Sequence, residues 1–499
     1  MLRRYFPRQM VACVREASGI CRDPGSGLAS RTLPGGMMTY VRTSSSSVQQ
    51  RDPSLSWMRV RRYRHFDVPV GEDFARRVMC PTHGPALVAR HSFCPLIHYE
   101  KVEPRYKKTS SISAHGTNLV ERRVERKRRP IKYASHKDAC IYSWYAHQLS
   151  LRLEDFYRQN GLSDNVIAYR ALGKSNYDFA AAAYEYAKCH APVTIIALDI
   201  KLFFDTLDHK ILKKCLKTVL GLESLPKDWF AVFKSVTRYH YVDLDKLKEH
   251  PTFGPNLRNR RLPLIATVAE LKREGISFKA NPEATRGIPQ GTPISAVLSN
   301  LYMIDFDLDV KRYCERIGGF YRRYSDDVIV ICDPAKANDA ETFIKQQIEK
   351  VKLSIEDSKT ERTLFDLENK ADLFANSAQY LGFKLAPTGP TIREKSLARA
   401  WRKMRRAIRK TRRKAQQKIA TGQATKVFTR KLYRRFSYIR VQKGTTIDTV
   451  RNFCSYARHS AKSFDDGSKI LRQVKRFEKA ALAEIKKLKS IEATSPNTS

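Results

Sequence analysis

The 499-residue sequence predicts an α+β fold, and three groups of residues carry this prediction. Residues 193–198 are apolar except for the β-branched Thr194, a composition typical of a buried strand. Residues 319–332 contain two β-branched and aromatic runs around a polar centre, the pattern of a β-hairpin. Residues 136–190, and the chain from Glu394 to about Lys489, are helical in pattern. An antiparallel sheet with separate helical regions is the expected result.

The charge of the chain points to a polyanionic partner. It has 93 Lys and Arg against 50 Asp and Glu, a formal net charge of +43. An enzyme acting on small metabolites does not need this charge. A protein lying along a phosphate backbone gains from it, because bound Lys and Arg release condensed counterions. No apolar run approaches the ~20 residues that span a bilayer, so no membrane partner is expected. Ten dispersed cysteines fit reduced thiols in the cytoplasm.

The N-terminal part of the chain divides at about residue 58. Residues 1–58 are rich in Arg, Ser, Gly and Pro, and we expect a disordered tail or an extension ahead of a later start codon. Residues 59–124 are expected to form an N-terminal extension. It contains two pairs with zinc-ligand spacing, although the short linker favours a buried or incidental role. These residues are Cys80, His83, His91 and Cys94.

Basic residues recur between residues 121 and 174. Residues 121–130 are a charge run that predicts a solvated helix, and the global charge makes contact with nucleic acid the favoured addition. Arg170 and Lys174 flank Gly173 and suggest a turn facing a phosphate. The Gly-Lys-Ser sequence there lacks the rest of a P-loop, so that motif is a weak signal.

Asp199 ends the buried strand at 193–198. A carboxylate at the C-terminal edge of a core strand is expected to point into a cleft. Its alternative role is to cap the helix predicted from about His209. Asp205 or Asp208 suits that role better, because Asp199 lies too far ahead of the helix.

A Gly/Pro turn at residues 286–295 leads into another predicted helix. Gly287 and Gly291 lack a Cβ and are expected to let a ligand approach the backbone closely. The N-terminus of the following helix favours negative charge.

Asp326 and Asp327 lie at the centre of the predicted hairpin. Adjacent carboxylates repel each other and are costly to desolvate, so a cation is expected beside them. On their own they fit a solvated turn or a Lys or Arg partner as well as they fit Mg²⁺. Together with Asp199 they could hold two divalent ions ~3.5–4 Å apart for in-line phosphoryl transfer.

Taken in order, these motifs closely resemble the palm of reverse transcriptases. Asp199 matches the metal ligand of the first palm motif, and Tyr324-Ser325-Asp326-Asp327 matches the Tyr-x-Asp-Asp box. Gln290-Gly291 matches the Pro-Gln-Gly turn beside the template and incoming nucleotide. Lys359-Thr360 matches the later Lys-Thr motif, and Tyr380-Leu381-Gly382-Phe383 matches the primer-grip hairpin. Two fingers motifs are matched by Arg129-Pro130-Ile131 and by residues 169–179.

The resemblance implies a right-hand polymerase with an antiparallel palm sheet and a basic α-helical thumb. The expected divisions are fingers at 125–192, palm at 193–389 with a fingers insertion at about 222–285, thumb at 390–490 and a disordered tail at 491–499. The last hundred residues show neither an RNase H tetrad nor the Cys/His cluster of an intron endonuclease.

The resemblance also assigns roles to residues. Asp199, Asp326 and Asp327, with Ile200, would hold two Mg²⁺ ions or Mn²⁺ in their place, and Lys359 would protonate the leaving pyrophosphate. Phe204 would be a steric gate against a ribose 2′-hydroxyl, which implies use of deoxynucleotides; the alternative is a core Phe. The remaining implied contacts are with the nucleotide (Gln290, Gly291, Arg170, Lys174), the primer (Leu381, Gly382, Phe383) and nucleic acid at the thumb (Arg402, Arg405, Arg406, Arg409, Arg412, Arg413).

The implied function is that of an RNA-directed DNA polymerase with an RNA template, dNTPs and a DNA product. Residues 63–66, 91–93 and 133–139 look most like the defence-associated "unknown group" enzymes. In their type 3 system two reverse transcriptases act with a noncoding RNA. The alternatives are a maturase-like RNA-binding protein of a group II intron or retron, non-templated DNA synthesis, and an RNA-dependent RNA polymerase.

Overall fold

The computed structural model describes residues 52–112, 118–259, 261–368, 377–423, 426–438, 441–443, 446–448 and 451–489. Up to the predicted fingers insertion, the elements are a 3₁₀ turn (Pro53–Leu55), α1 (Glu72–Met79), α2 (Gly84–Ala89), β1 (Leu96–Ile112), β2 (Asn118–Tyr133), α3 (His136–Gln159), α4 (Asn176–Cys189), β3 (Val193–Asp199), α5 (Phe203–Thr206) and α6 (His209–Leu220). The stretch of the predicted insertion contains α7 (Lys227–Thr237), β4 (His240–Asp243), α8 (Leu244–Glu249), α9 (Phe253–Arg258), α10 (Val268–Arg273) and β5 (Lys279–Ala280).

The second half begins with α11 (Ser295–Tyr302), α12 (Ile304–Arg316), β6 (Phe320–Tyr324), β7 (Asp327–Cys332), a 3₁₀ turn (Pro334–Lys336), α13 (Ala337–Lys350), a second 3₁₀ turn (Asp357–Lys359) and β8 (Glu361–Phe365). It ends with β9 (Ala378–Tyr380), β10 (Phe383–Leu385), β11 (Thr391–Ile392), α14 (Glu394–Ala420), α15 (Arg430–Phe436), β12 (Val441–Lys443), β13 (Thr446–Asp448), α16 (Phe453–Ser463) and α17 (Ser468–Lys489).

The palm sheet has the strand order β6-β7-β3-β8, and its neighbouring strands are antiparallel. Successive side chains of a strand point to opposite faces. In β7, Val328 and Val330 pack into a core shared with the palm helices, whereas Ile329 and Ile331 pack into a second core shared with the thumb helices. The central strands are therefore buried on both faces. This explains why β3 is almost entirely apolar up to Asp199, and the predicted strand and hairpin are confirmed.

The charged stretch before the fingers helices is a strand. β1 and β2 form a long antiparallel ribbon in which Ile97 lies opposite Tyr133 and Glu100 opposite Pro130. The helix predicted at 121–130 is therefore wrong. The ladder with β1 supplies the partners for the backbone, and Pro130, which lacks an N–H, is accommodated because β2 is an edge strand. The insertion extends this sheet, since β4 pairs in parallel with β1 and β5 pairs with β4.

The thumb helices pack through their apolar sides. Met404 and Ile408 of α14 share a core with Val474 and Phe477 of α17. Most Arg and Lys of α14 lie on its outer side and are exposed. The helical pattern predicted for this region is confirmed.

The folded chain begins earlier than predicted. Leu55, Trp57 and Met58 are buried with Ala75 and Cys140, so residues 52–58 do not belong to the predicted disordered tail. Apolar side chains in that short stretch outweigh its polar composition. Residues 1–51 and 490–499 lie outside the described residues. Among the described helices, none combines the length and apolarity needed to cross a membrane.

Candidate active site

The turn of the β6–β7 hairpin carries the first candidate residues. Tyr324 and Asp327 pair, which leaves Ser325 and Asp326 as a two-residue loop. Ser325 has a φ of 62°, a left-handed conformation that is uncommon for any residue other than glycine. Two contacts hold it there. Its hydroxyl lies 3.1 Å from the Tyr169 hydroxyl, and its carbonyl accepts a hydrogen bond from Arg323 at 3.1 Å.

Arg323 anchors this turn from within the core. Its guanidinium makes two hydrogen bonds to the Asp307 carboxylate, at 2.7 and 2.6 Å, and both side chains are fully buried. A third contact, at 3.3 Å, reaches the side-chain oxygen of Asn300. The turn is therefore fixed to α11 and α12. The sequence offered no signal for this anchor, because Arg322 and Arg323 are adjacent in the same strand and only their tertiary contacts distinguish them.

The end of β3 lies beside the same turn. Asp199 is directly opposite Asp327 in the strand register, and the Ile200 amide donates to the Asp326 carbonyl at 3.1 Å. The structure thus brings Asp199, which is distant in sequence, beside Asp326 and Asp327 where the central strands β3 and β7 meet at one end of the palm sheet. This placement follows from the register of two antiparallel strands.

The three carboxylates change one another's affinity for protons. Desolvation by the surrounding protein raises the pKa of Asp327 to about 7, and the charges of Asp326 and Asp199 add to the rise. Asp327 is accessible to solvent, but the protein around it removes much of its hydration shell. Desolvation also raises the pKa of Asp326, and Asp199 contributes. The raised pKa values mean that the positive charge near these carboxylates is not enough to stabilise all of them in the ionised form.

One cation already contacts this group. Lys359 Nζ lies 2.8 Å from Asp199 Oδ1 and forms an ion pair that is open to solvent. The oxygens of Asp199, Asp326 and Asp327 are the ligand type that Mg²⁺ and Mn²⁺ prefer. The described residues contain no ready-made group of three metal ligands, and Lys359 takes up one Asp199 oxygen in this conformation. The donor set fits a divalent ion in chemistry, while Lys359 must shift to leave Asp199 free.

The predicted gate residue lies on a turn that packs against the Pro-Gln-Gly segment. Phe204 is partly buried beside Phe203, with ring centroids 5.7 Å apart. Its carbonyl accepts a hydrogen bond from the Ile288 amide at 2.9 Å. The Gly287 amide donates to the Leu207 carbonyl, also at 2.9 Å. These bonds fix the gate turn to the Pro-Gln-Gly segment.

The Pro-Gln-Gly segment also joins the ribbon. The Lys132 amide donates to the Gln290 carbonyl at 2.8 Å. Gly291 has a φ of 125°, and a Cβ there would lie 2.7 Å from the Lys132 carbonyl. A Cβ at Gly287 would lie 2.9 Å from the Asp205 carbonyl. Both glycines are therefore needed for close approach by the protein's own backbone, and the predicted approach of a ligand stays a prediction.

Arg170 does not face a phosphate in this structure. Its guanidinium donates to both oxygens of Glu154, at 2.8 and 2.6 Å, and to the Ser163 carbonyl at 2.7 Å. It also lies over the Tyr157 ring. The prediction that Arg170 binds substrate is wrong here, because these contacts occupy its donors. Lys174 is exposed in the loop before α4, and its role stays a prediction.

The predicted primer grip is a tight turn between β9 and β10. Leu381 and Gly382 form this turn, and the Arg393 amide donates to the Gly382 carbonyl at 3.0 Å. Phe383 is fully buried among thumb residues and cannot contact a primer, so this part of the prediction is wrong. The strand register explains the difference, because Phe383 follows the turn on the inward face.

The thumb arginines divide into two groups. Arg402, Arg405, Arg406, Arg409 and Arg413 are exposed along α14. Arg412 turns toward α17, where it lies 3.9 Å from Glu484.

The four residues with zinc-ligand spacing, Cys80, His83, His91 and Cys94, do not form a metal site among the described residues. His91 pairs with Asp138 at 2.7 Å, and Cys80 lies near Thr82.

Lys127 and Arg393 were missed by sequence reasoning. Lys127 lies on β2, and its charge partly offsets the rise in the pKa of Asp326 that desolvation causes. Arg393 does the same to Asp327 from the junction of palm and thumb. In a chain with 93 basic residues, no sequence signal separates these two from their neighbours.

The comparison with protein families decides the assignment. Residues 125–385, just over half of the chain, match the family described as reverse transcriptase (RNA-dependent DNA polymerase). The chain belongs to the reverse transcriptase family. With the antiparallel palm sheet and the separate helical regions, this membership confirms the predicted α+β right-hand polymerase fold.

Solved structures of telomerases are similar to this reverse transcriptase over part of their length. Telomerase from Candida albicans, in complex with a TWJ fragment of telomeric RNA, matches with 11% identity and a TM-score of 0.42 over 86% of this chain and 59% of that one. Apo telomerase from Candida tropicalis, truncated from the C-terminal domain, matches with 11% identity and a TM-score of 0.38 over 59% and 57%. The chain spans about three-fifths of these telomerases. No curated protein matches it in sequence.

Proposed function

We propose that this reverse transcriptase is an RNA-directed DNA polymerase that extends a DNA chain by two-metal phosphoryl transfer. The observation that carries the proposal is the meeting of Asp199, Asp326 and Asp327 at one edge of the palm sheet, within the matched family region. Family membership supports polymerase chemistry, and the all-carboxylate donor set supports Mg²⁺ as the metal.

In this proposal the residues have separate tasks. Asp199, Asp326 and Asp327, with the Ile200 carbonyl, would hold the divalent ions, which neutralise charge on the attacking and leaving oxygens. Lys359, freed from Asp199, donates a proton to the leaving pyrophosphate. Phe204, whose carbonyl is bonded to the Ile288 amide, would oppose a ribose 2′-hydroxyl with its ring.

The decisive experiment removes two of the carboxylates. Purified chain with Mg²⁺, dNTPs and a primed RNA template is expected to make DNA, and Asp326→Ala with Asp327→Ala is expected to abolish synthesis. Asp155→Ala removes an exposed carboxylate on α3 and serves as the control. Equal synthesis by the double variant and the control would refute the mechanism.

Nucleotide choice tests the gate separately. Phe204→Ala is expected to raise the use of rNTPs relative to dNTPs by about 10-fold or more, because the ring no longer opposes the 2′-hydroxyl. Phe203→Leu, a change of the neighbouring core ring, should leave the ratio unaltered. A wild-type chain that prefers rNTPs would instead favour the RNA polymerase alternative.

We further propose that the enzyme acts in the cytoplasm in antiphage defence, with a noncoding RNA as template and a second reverse transcriptase as an additional partner. The support is the N-terminal residue pattern. In the structure this pattern is part of the fold: Tyr63 stacks on His136 at 5.1 Å and donates to the Ala134 carbonyl. Sequencing the RNA and DNA that co-purify with the chain tests the template. A phage plaque assay with the Asp326/Asp327 double variant tests the defence role.

A further inference from the structure

A pocket of about 620 Å³ lies on the thumb, away from the three carboxylates. It is lined by Leu397, Ala398, Trp401, Arg402, Arg405, Gln473 and Arg476. The α14 residues repeat at four-residue spacing and so share one face of that helix. Gln473 and Arg476 close the pocket from α17. Its volume lies within the ~300–1,000 Å³ of sites that hold small organic groups.

We propose that this pocket binds one unpaired nucleobase of a single-stranded nucleic acid. Trp401 lines the pocket, and its indole packs nearly perpendicular to the Phe477 ring, with ring centroids 5.3 Å apart at 84°. The Arg405 guanidinium lies 5.4 Å from the indole centroid, over its face. An aromatic face beside guanidinium groups is the arrangement on which a base stacks while flanking phosphates bind the cations.

Charge and shape together favour a single strand. Helix α14 contains twelve Lys and Arg and one Glu, so a polyanion is the complementary partner. A recessed ring can be reached only by a base that is free of its own stack, because bases in a duplex are covered on both faces. The bound base therefore belongs to an unpaired stretch.

The pocket has a fixed relation to the primer grip. Gln473 accepts a hydrogen bond from the Ile392 amide at 2.9 Å, next to Arg393, whose amide bonds to Gly382. At 1.5 Å per residue along α14, Trp401 lies ~10 Å beyond Glu394, where the helix begins. A strand in the pocket thus passes within a few nucleotides of the primer grip. The site would guide an unpaired strand at the edge of the polymerase cleft.

Binding is measured by fluorescence anisotropy of labelled oligo(rA) and oligo(dA) of about 12 nucleotides, and of a blunt hairpin with the same number of phosphates. Trp401→Ala should weaken binding of the single strands about 10-fold and leave the hairpin unchanged, whereas Trp401→Phe should restore most of the affinity. The rA and dA arms tell which strand type the pocket prefers. Circular dichroism melting verifies that the Trp401→Ala chain is folded.

Charge variants separate the pocket from the general basicity of the helix. Arg405→Gln should weaken single-strand binding more than Lys403→Gln, which removes the same charge from the same helix outside the pocket. Equal losses for these two variants, or unchanged binding by Trp401→Ala, would overturn the proposal. No metal or dNTP is present in these assays, so their outcome is independent of whether the carboxylates support synthesis.

Discussion

Two ion pairs on the palm sheet lie in opposite surroundings. Arg323 and Asp307 meet at 2.6 Å with both side chains 0% exposed, whereas Lys359 and Asp199 meet at 2.8 Å with side chains 42% and 26% exposed. The first pair has hydrogen-bond partners from α11, β6 and the hairpin turn. The second faces the cleft.

The difference separates a structural charge from an exchangeable one. Removing one partner of a buried pair leaves an uncompensated charge in a low dielectric, so Arg323 is committed to Asp307. An exposed pair contributes little free energy, so Lys359 can leave Asp199 for a substrate or yield its place to a metal. The two ion pairs thus have similar N–O distances but different functions, and the solvent exposure of their side chains distinguishes them.

The largest effect is expected from breaking the buried pair. Arg323→Met should lower the free energy of unfolding by about 3–5 kcal/mol, because Asp307 is left charged and buried. Denaturant unfolding measures this loss. Arg322→Met is the matched control, since Arg322 is buried in the same strand but bonds to the carbonyls of Asp164 and Phe179 and not to a carboxylate among the described residues. Equal losses for the two variants would contradict a special role for Arg323.

Breaking the exposed pair should affect catalysis and spare stability. Lys359→Met is expected to reduce kcat by about 100-fold through loss of the general acid, while the free energy of unfolding changes by less than ~1 kcal/mol. Single-turnover kinetics and denaturant unfolding measure the two quantities. Lys359→Arg keeps the charge but not the acidity, so it should keep stability without restoring kcat. Full activity of Lys359→Met would exclude proton donation.

The smallest effect on stability is expected from a change in pH, because Asp327 is exposed and solvent screens its charge. In EDTA, the folded chain holds the Asp327 proton more tightly than the unfolded chain, because its pKa is raised from 3.8 to about 7. This contribution to stability is present at low pH and is lost as the pH rises from about 4 through about 7. Thermal melts across that range should show a steeper decline for the wild type than for Asp327→Asn, and Mg²⁺ should reduce the difference. Parallel curves would show that Asp327 is not destabilised by its neighbours.

The sequence was sufficient where the pattern was local. The period-two placement of β7 residues in two cores, the two-residue turn and the Asp208 cap of α6 all follow from residues close in the chain. Asp199 was identified from the sequence because a charged residue ends an apolar strand. Its position beside the hairpin then follows from the antiparallel pairing of β3 with β7.

The sequence was insufficient where tertiary contacts decided. Residues 121–130 are compatible with a helix by composition, and only pairing with β1 makes them a strand. The sequence around Arg170 suggests a phosphate ligand, but its guanidinium donates two hydrogen bonds to the carboxylate of Glu154, sixteen residues earlier. Which arginine is buried also depends on distant partners, so neither Arg323 nor the inward position of Phe383 could be predicted.

The junction of the ribbon with the palm has a consequence for motion. The Lys132 amide is hydrogen-bonded to the Gln290 carbonyl, and Gly291 packs closely against the Lys132 carbonyl. Strand β2 therefore cannot slide along the Pro-Gln-Gly segment. A swing of the whole ribbon about its base would break this contact. We therefore expect bending over a bound nucleotide to begin beyond Lys132, with the base acting as a fixed pivot. Slow hydrogen exchange at the Lys132 amide, alongside faster exchange toward the ribbon tip, would be its signature.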